Sequence, residues 1–261
     1  MLLLVRTRKH YYVNNMSLIL HYDAISSTNT IARALKKYSN SVVISSNSQK
    51  SGFGRNGKSW FGDSYKNIYL SIALSSTMLK NHISPFYYQA CSVLAVQASL
   101  FLYLSPDMIR IKYPNDIYIR QNMSWKKISG ILIQTEYIGS HLESVIIGIG
   151  LNVFQQEFDE TIKDKAISLS QILNDDYNVV IQSLQSTILS NLFGYLEYDE
   201  QYIYTLWHDA LNIIGKEITI VNTGESAIVD SIGNNGILHV IQDNKNLSID
   251  NGDSIYYDLN E

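Results

Sequence analysis

Four basic side chains stand beside turn residues rather than on open faces, a setting that suits the gripping of an anion. In "SGFGRNGKSW" (51–60), Arg55 and Lys58 are spaced among Gly52, Gly54 and Gly57. In "IKYPNDIYI", Lys112 closes an apolar run before the rigid turn Pro114-Asn115-Asp116, and in "KKISGILIQTE", Lys127 precedes Gly130, where a new strand starts. Glycines let main-chain N–H groups approach an anion, and a guanidinium grips a carboxylate or phosphate with two parallel bonds. Two more stretches join them. "IIGIGLNV" ends a run on Gly148, Gly150 and Asn152, and "SSTN" (26–29) opens a segment with hydroxyls and an amide.

The glycine stretch spells two phosphate-binding patterns at once: G-x-G-x-x-G through Gly52, Gly54 and Gly57, and G-x-x-x-x-G-K-S through Gly52, Gly57, Lys58 and Ser59. Both require a helix to start at the loop, because its N-terminal N–H groups hold the phosphate. Here "SNSQKS" separates the loop from the run before it, and "KSWFGDSYKN" leads into another strand. No aspartate ends an apolar run to complete a magnesium site, and neither H-R-D nor D-F-G occurs. Neither pattern fits its surroundings.

The elements that must position these residues follow from periodicity. Ile31, Ala34, Leu35 and Tyr38 recur at helical spacing after Ser27 or Thr28, either of which can cap the helix. "SVVIS" (41–45) reads as a buried strand, and "NIYLSIALS" alternates Ile68, Leu70, Ile72 and Leu74. Residues 86–104 are helical; four β runs then follow, with a hairpin in "YIRQNMSWKKISG". Residues 179–210 return to helical spacing, with Ile181, Leu184, Ile188 and Leu192 on one face. After about residue 212, five short β runs are broken by NTGE, GNNG, QDNKN and DNGD, the rhythm of a small barrel. The expected organisation is an N-terminal extension of unclear role (1–15), an α+β main domain (16–211) and a small SH3-like β-barrel (212–261).

Composition narrows the possible functions. The chain has 261 residues, a formal charge of −4 and no long run of one sign, which argues against a broad nucleic-acid footprint. Cys91 is the single cysteine, so no intrachain disulfide or C-x-x-C site exists, and its apolar setting marks it as a packed small side chain. The histidines are scattered without ligand spacing, so no protein-held metal site is expected. "MLLLV" is too short for a signal core, and Met16 is an alternative start. A cytoplasmic protein with no membrane contact is expected.

Taken in order, Ser27-Thr28-Asn29, Gln49 to Trp60, Lys112 to Asp116, Lys127 to Leu132 and Gly148 to Asn152 resemble the five motifs of biotin protein ligase. The resemblance covers roughly residues 17 to 260. It implies a mixed sheet flanked by helices, of the class II synthetase-like biotin/lipoate ligase type, with a small C-terminal β-barrel. It also implies ligation of biotin to a lysine of a biotin carboxyl carrier protein domain, through biotinyl-5′-adenylate, using ATP with Mg2+ on its phosphates. The glycine loop then closes over biotin and the adenylate.

Residue roles carry over from the same resemblance. Lys127 touches the biotin carboxylate and the α-phosphate, Arg55 grips that junction, Lys112 adds charge and Asp116 orients the incoming amine. Ser27, Thr28, Asn29, Gln49, Gly54, Arg55, Lys127 and Gly130 form the biotin site. Arg55, Lys58, Trp60, Lys112, Asn115, Lys127 and Asn152 form the ATP site, with Trp60 stacking adenine. Trp60 as a core aromatic and Asn152 as a strand-end cap are the bland alternatives.

Three positions depart from the family pattern. Phe53 stands where the first loop arginine is usual, Tyr113 replaces a tryptophan, and Gln134 stands where a glutamate is common. About 25 residues precede Ser27, too few for an N-terminal helix-turn-helix, so no DNA binding is expected. The partner is then the carrier domain of a biotin-dependent carboxylase, met by a monomer or homodimer. The rival readings are a lipoate ligase or related acyltransferase, and a non-catalytic biotin- or nucleotide-binding protein.

Overall fold

Strands form where the apolar runs predict them, and their alternation decides which face carries chemistry. The computed structural model describes residues 10–11, 17–80, 84–173 and 179–260. The expected extension, apart from residues 10–11, and the alternative start at Met16 lie outside the described residues. An eight-stranded mixed sheet runs in the order β1 (His10–Tyr11), β2 (Ser17–Tyr22), β3 (Ser41–Ser46), β4 (Asn67–Ser75), β8 (His141–Asn152), β7 (Ser124–Ile138), β6 (Asp116–Gln121) and β5 (Ile109–Lys112). β2 and β3 pair in parallel, and the other neighbours are antiparallel.

On β4, Ile68, Leu70, Ile72 and Leu74 enter the main core, shared with helices α2 (Pro85–Leu100), α3 (Ile181–Leu196) and α4 (Glu200–Leu211). Burying each such side chain stabilises the fold by about 1.5–3 kcal/mol. Residues between them point the other way by the period of two. Ala73 joins a smaller core with Ala32, Val42, Ile44 and Ile146, beneath helix α1 (Thr28–Leu35). Cys91 is fully buried in the main core, where burial pushes its thiol up to about 12, as befits a packed side chain.

One helical expectation needs partial correction and a second gains detail. The inward face of α1 is Thr28, Asn29 and Ala32, whereas Ala34 is exposed and Tyr38 is 68% exposed in a following 3-10 turn. Ile31 and Leu35 of the expected stripe do pack, partly buried, against the smaller core, while hydrogen-bonded polar groups occupy the rest of the buried face. The stretch 179–210 is two helices. Asp199 accepts a hydrogen bond from the Tyr202 N–H at 2.8 Å and so caps α4 afresh.

The C-terminal strands β9 (Glu217–Ile220), β10 (Ser226–Ile232), β11 (Leu238–Gln242), β12 (Lys245–Ile249) and β13 (Ile255–Tyr256) form an antiparallel sheet in the order β12-β11-β10-β9-β13. Among the described residues its end strands make no ladder with each other, so the expected small barrel is an open sheet here. β13 has only two residues. The turn before it leans on the main domain instead, where a Cβ at Gly252 would strike the Tyr113 carbonyl and Pro114. Ile218, Val229, Leu238 and Ile255 extend the main core without a break. No helix among the described residues is long and apolar enough to cross a membrane.

Candidate active site

Strand register lines up the chemistry. Lys112 pairs with Asp116, Asp116 with Gly130, Gly130 with Gly150, and Gly150 with Tyr69, in one row across β5, β6, β7, β8 and β4. Directly opposed residues share a face, and this face lies away from the main core. The next row along sets Leu132, Gly148 and Ser71 side by side. The middle of the face is therefore bare backbone. The Trp60 indole fills the space above Gly130 and Gly150, and the Asn29 amide sits on Gly148. A Cβ at Gly150 would overlap the indole, and one at Gly148 the amide, which is why these two positions are glycine.

At one end of the floor the cations meet. Lys127 Nζ donates to Asp116 Oδ2 at 2.6 Å and stands 5.5 Å from the Trp60 ring centroid. A register shift between Ile117 and Tyr118 inserts an extra residue in β7 and aims Lys127 at Asp116. Arg55 donates to Asn115 Oδ1 at 3.0 Å, and the Asn115 amide donates in turn to the Ile131 carbonyl at 2.6 Å. Lys112 Nζ lies 5.9 Å from the Tyr118 ring centroid and makes no ion pair among the described residues. Burial pushes its pKa below the ordinary lysine value, against the pull of Asp116 and Asp253. Arg55, Lys112 and Lys127 thus converge on the Asn115-Asp116 turn.

At the other end the groups are neutral and mutually satisfied. Gln49 Oε1 accepts from the Thr28 N–H at 2.7 Å and from the Thr28 hydroxyl at 3.0 Å. Ser71 Oγ lies 2.7 Å from Thr28 Oγ1 and 2.5 Å from Asn29 Oδ1. Asn29 Nδ2 donates to Gln134 Oε1 at 3.1 Å. Ser27, buried, is the N-cap of α1 and makes no side-chain cap bond. Backbone bonds from Lys50 and Ser51 to the carbonyls of Ile25 and Ser26 hold this segment against the start of the glycine loop.

The loop itself is a small hairpin. Phe53 bridges Ser59, the Gly54 N–H donates to the Lys58 carbonyl at 2.7 Å, and Asn56 and Gly57 take positive φ of 53° and 71°. The C-terminal sheet's last turn grips its tip. Lys58 pairs with Asp253 at 2.8 Å, Asn56 donates to the same carboxylate at 3.1 Å, and Arg55 reaches Asn251 at 3.4 Å. Burial alone would raise the Asp253 carboxyl, yet the bonds from Lys58 and Asn56 hold it below the usual range.

Lys58 is therefore placed on the C-terminal turn rather than in the Lys127–Asp116 cluster, and Trp60 on the glycine floor. Asn152 ends β8 and donates to the Ile167 carbonyl at 3.1 Å. The Trp60 Nε1–H is buried without a hydrogen-bond partner among the described residues. Among the described residues, no three His, Cys, Asp or Glu side chains gather into a metal site. Sequence reasoning missed Ser71, Asn251 and Asp253 and had no account of Gln134. Ser71 carried a signal, a hydroxyl inside an otherwise apolar strand. Asp253 carried none, because its partners lie almost 200 positions away.

Residues 22–152 match the model of the biotin/lipoate A/B protein ligase family. Over 195 residues the chain is 29% identical to the bifunctional ligase/repressor BirA of Bacillus spizizenii, which takes in 72% of this chain and 58% of that protein's length. Its fold is similar to that of biotin protein ligase from Aquifex aeolicus, solved in complex with biotin and ATP, with TM-score 0.70, 21% identity, and 91% and 97% of the two chains covered. The enzyme from Leishmania major in complex with biotinyl-5-AMP gives TM-score 0.59 at 21% identity, over 89% of this chain and 98% of the other.

Proposed function

Because the chain belongs to the biotin/lipoate A/B protein ligase family, we propose that it joins biotin to a lysine of a biotin carboxyl carrier protein domain in two steps at this site. In the first, a biotin carboxylate oxygen attacks the α-phosphorus of ATP, the bond to the bridging oxygen breaks, and pyrophosphate leaves with that electron pair. In the second, the lysine nitrogen attacks the acyl carbon of biotinyl-5′-adenylate, AMP leaves and the ammonium loses a proton. The observation that carries this reading is the convergence of Arg55, Lys112 and Lys127 at the edge of a glycine floor.

Two anions must meet before the first step, and cations held in a partly desolvated site lower that barrier. Lys127 has three donors, of which Asp116 takes one, so a carboxylate and a phosphate oxygen can take the others. As negative charge draws Lys127 away, the Asp116 carboxylate becomes free to accept from the incoming amine. Magnesium would be held by the nucleotide's own phosphates, as counter-ion of the substrate, with no protein ligand assigned to it. The neutral end of the floor offers the donors and acceptors that a ureido ring needs, which favours biotin over the dithiolane of lipoate. In this reading residues 16–211 carry the chemistry, and residues 212–261 steady the loop through Asn251 and Asp253.

The test is transfer of labelled biotin to a carrier domain in the presence of ATP, read as a mass increase at one lysine. Lipoate transfer in its place supports the rival ligase, and binding without transfer supports the non-catalytic reading.

A further inference from the structure

The five-residue chain Gln134–Asn29–Ser71–Thr28–Gln49 links β7, α1 and β4 to the entry of the glycine loop. Two of its members were given no role by the sequence: Ser71 lies fully buried on β4, and Gln134, noted there only as a departure from the family pattern, is half-buried on β7. Ser71 stands directly beside Gly148 and Gln134 two residues further along β7, opposite Ile146, and the missing side chain of Gly148 leaves room for the Asn29 amide that joins them. An amide in such a gap could flip end for end. Here Ser71 shares its single hydrogen between the Asn29 oxygen and Thr28 Oγ1, and Gln134 Oε1 accepts from the Asn29 nitrogen, so a flipped amide would face Gln134 oxygen to oxygen. The same Ser71 hydroxyl lies against Thr28 Oγ1, whose own hydrogen points to Gln49 Oε1. With its oxygen so engaged, Gln49 turns Nε2 towards Gly52 at the loop.

We propose that Ser71 and Gln134 are positioning residues that fix the donor and acceptor directions of Thr28, Asn29 and Gln49, and thereby make the site select a cyclic urea. The inference rests on the biotin specificity proposed above. Ser71 donates to Thr28 and Thr28 to Gln49, so both hydroxyls point the same way along the chain, and Gln134 Oε1 disfavours the flipped amide. A site with one fixed pattern discriminates strongly against a ring lacking matching groups, because its own buried polar atoms are then left unpaired.

The experiment is calorimetric titration of the full chain with biotin, and separately with a non-hydrolysable ATP analogue, for the wild type, Gln134→Leu, Ser71→Ala and Gln134→Glu. Gln134→Leu and Ser71→Ala should each weaken biotin about tenfold or more, the scale of one unpaired buried polar group, with nucleotide binding changed less than about twofold. Gln134→Glu keeps an acceptor for Asn29 and should stay within about threefold of the wild type. Should Gln134→Leu fail to fold, Gln134→Met supplies the same length without a comparable acceptor. Equal weakening of biotin and nucleotide, or no rescue by glutamate, would overturn the positioning role. So would a Gln134→Leu protein that binds biotin like the wild type. A wild type that takes up no biotin overturns the proposed function, and this inference with it.

Discussion

The two ends of the glycine floor share a sheet face but are held in opposite ways. At the cationic end, Lys127 has one carboxylate partner, Arg55 has two neutral amides, and Lys112 has only an aromatic face and charges at a distance. At the neutral end, each of Thr28, Asn29, Ser71 and Gln49 is tied to another side chain. The first arrangement leaves donors to spare and can exchange partners as charge moves. The second fixes directions in advance. Transfer chemistry needs the former and recognition of a neutral ring needs the latter, so one floor with two differently built ends suits a reaction that holds a head group still while its tail is activated.

The largest effect expected from breaking this contrast is at Lys127. Lys127→Ala should reduce single-turnover formation of the adenylate by about 10²–10³-fold, as loss of a charge-stabilising donor does, with an unchanged melting temperature. A mutant of normal rate would remove the cationic end from the mechanism. Lys112 sharpens the contrast through pH. Its folded-state pKa lies below that of an unfolded lysine, so protonation favours the unfolded chain and its contribution to stability grows as pH rises between the two values. The charged form that attracts phosphate is lost over the same rise. The alkaline limb of kcat/KM should therefore fall below the ordinary lysine range, and Lys112→Arg should move it upward, since guanidinium stays charged. An unmoved limb would assign it to another group.

A third prediction strikes the floor between the two ends. Gly150→Ala drives a methyl into the Trp60 indole and should cost about 1–3 kcal/mol of stability by overpacking, measured by urea denaturation. Its intrinsic tryptophan fluorescence should change as well. Smallest is the C-terminal grip on the loop. The Lys58–Asp253 pair is largely exposed, so Asp253→Asn should cost no more than about 1 kcal/mol, and the loss should shrink at high salt.

How much of this was legible in the sequence differs between the same two ends. The cationic residues announce themselves, because charge beside proline or glycine is conspicuous in a linear chain. The alternation of Ile68, Leu70, Ile72 and Leu74 located the central strand and its core face. Ile31 and Leu35 on α1 were found, but the polar part of its buried face was missed because Thr28 and Asn29 are buried by bonds to Gln49, Ser71 and Gln134, partners 21 to 105 positions away. The helix break at Asp199 rests on one cap, and the grip of Asp253 on the loop tip joins residues almost 200 positions apart. Local pattern finds what one segment specifies, whereas polar complementarity between segments appears only when they are folded together.

The decisive property of this floor is whether it brings a carboxylate to a nucleotide phosphate. Exchange of labelled pyrophosphate into ATP by the full chain measures that step alone, with no acceptor protein present. Exchange that starts on addition of biotin, and not of lipoate, is the expected result. Exchange without biotin, or none with it in a protein that binds both ligands, would contradict it.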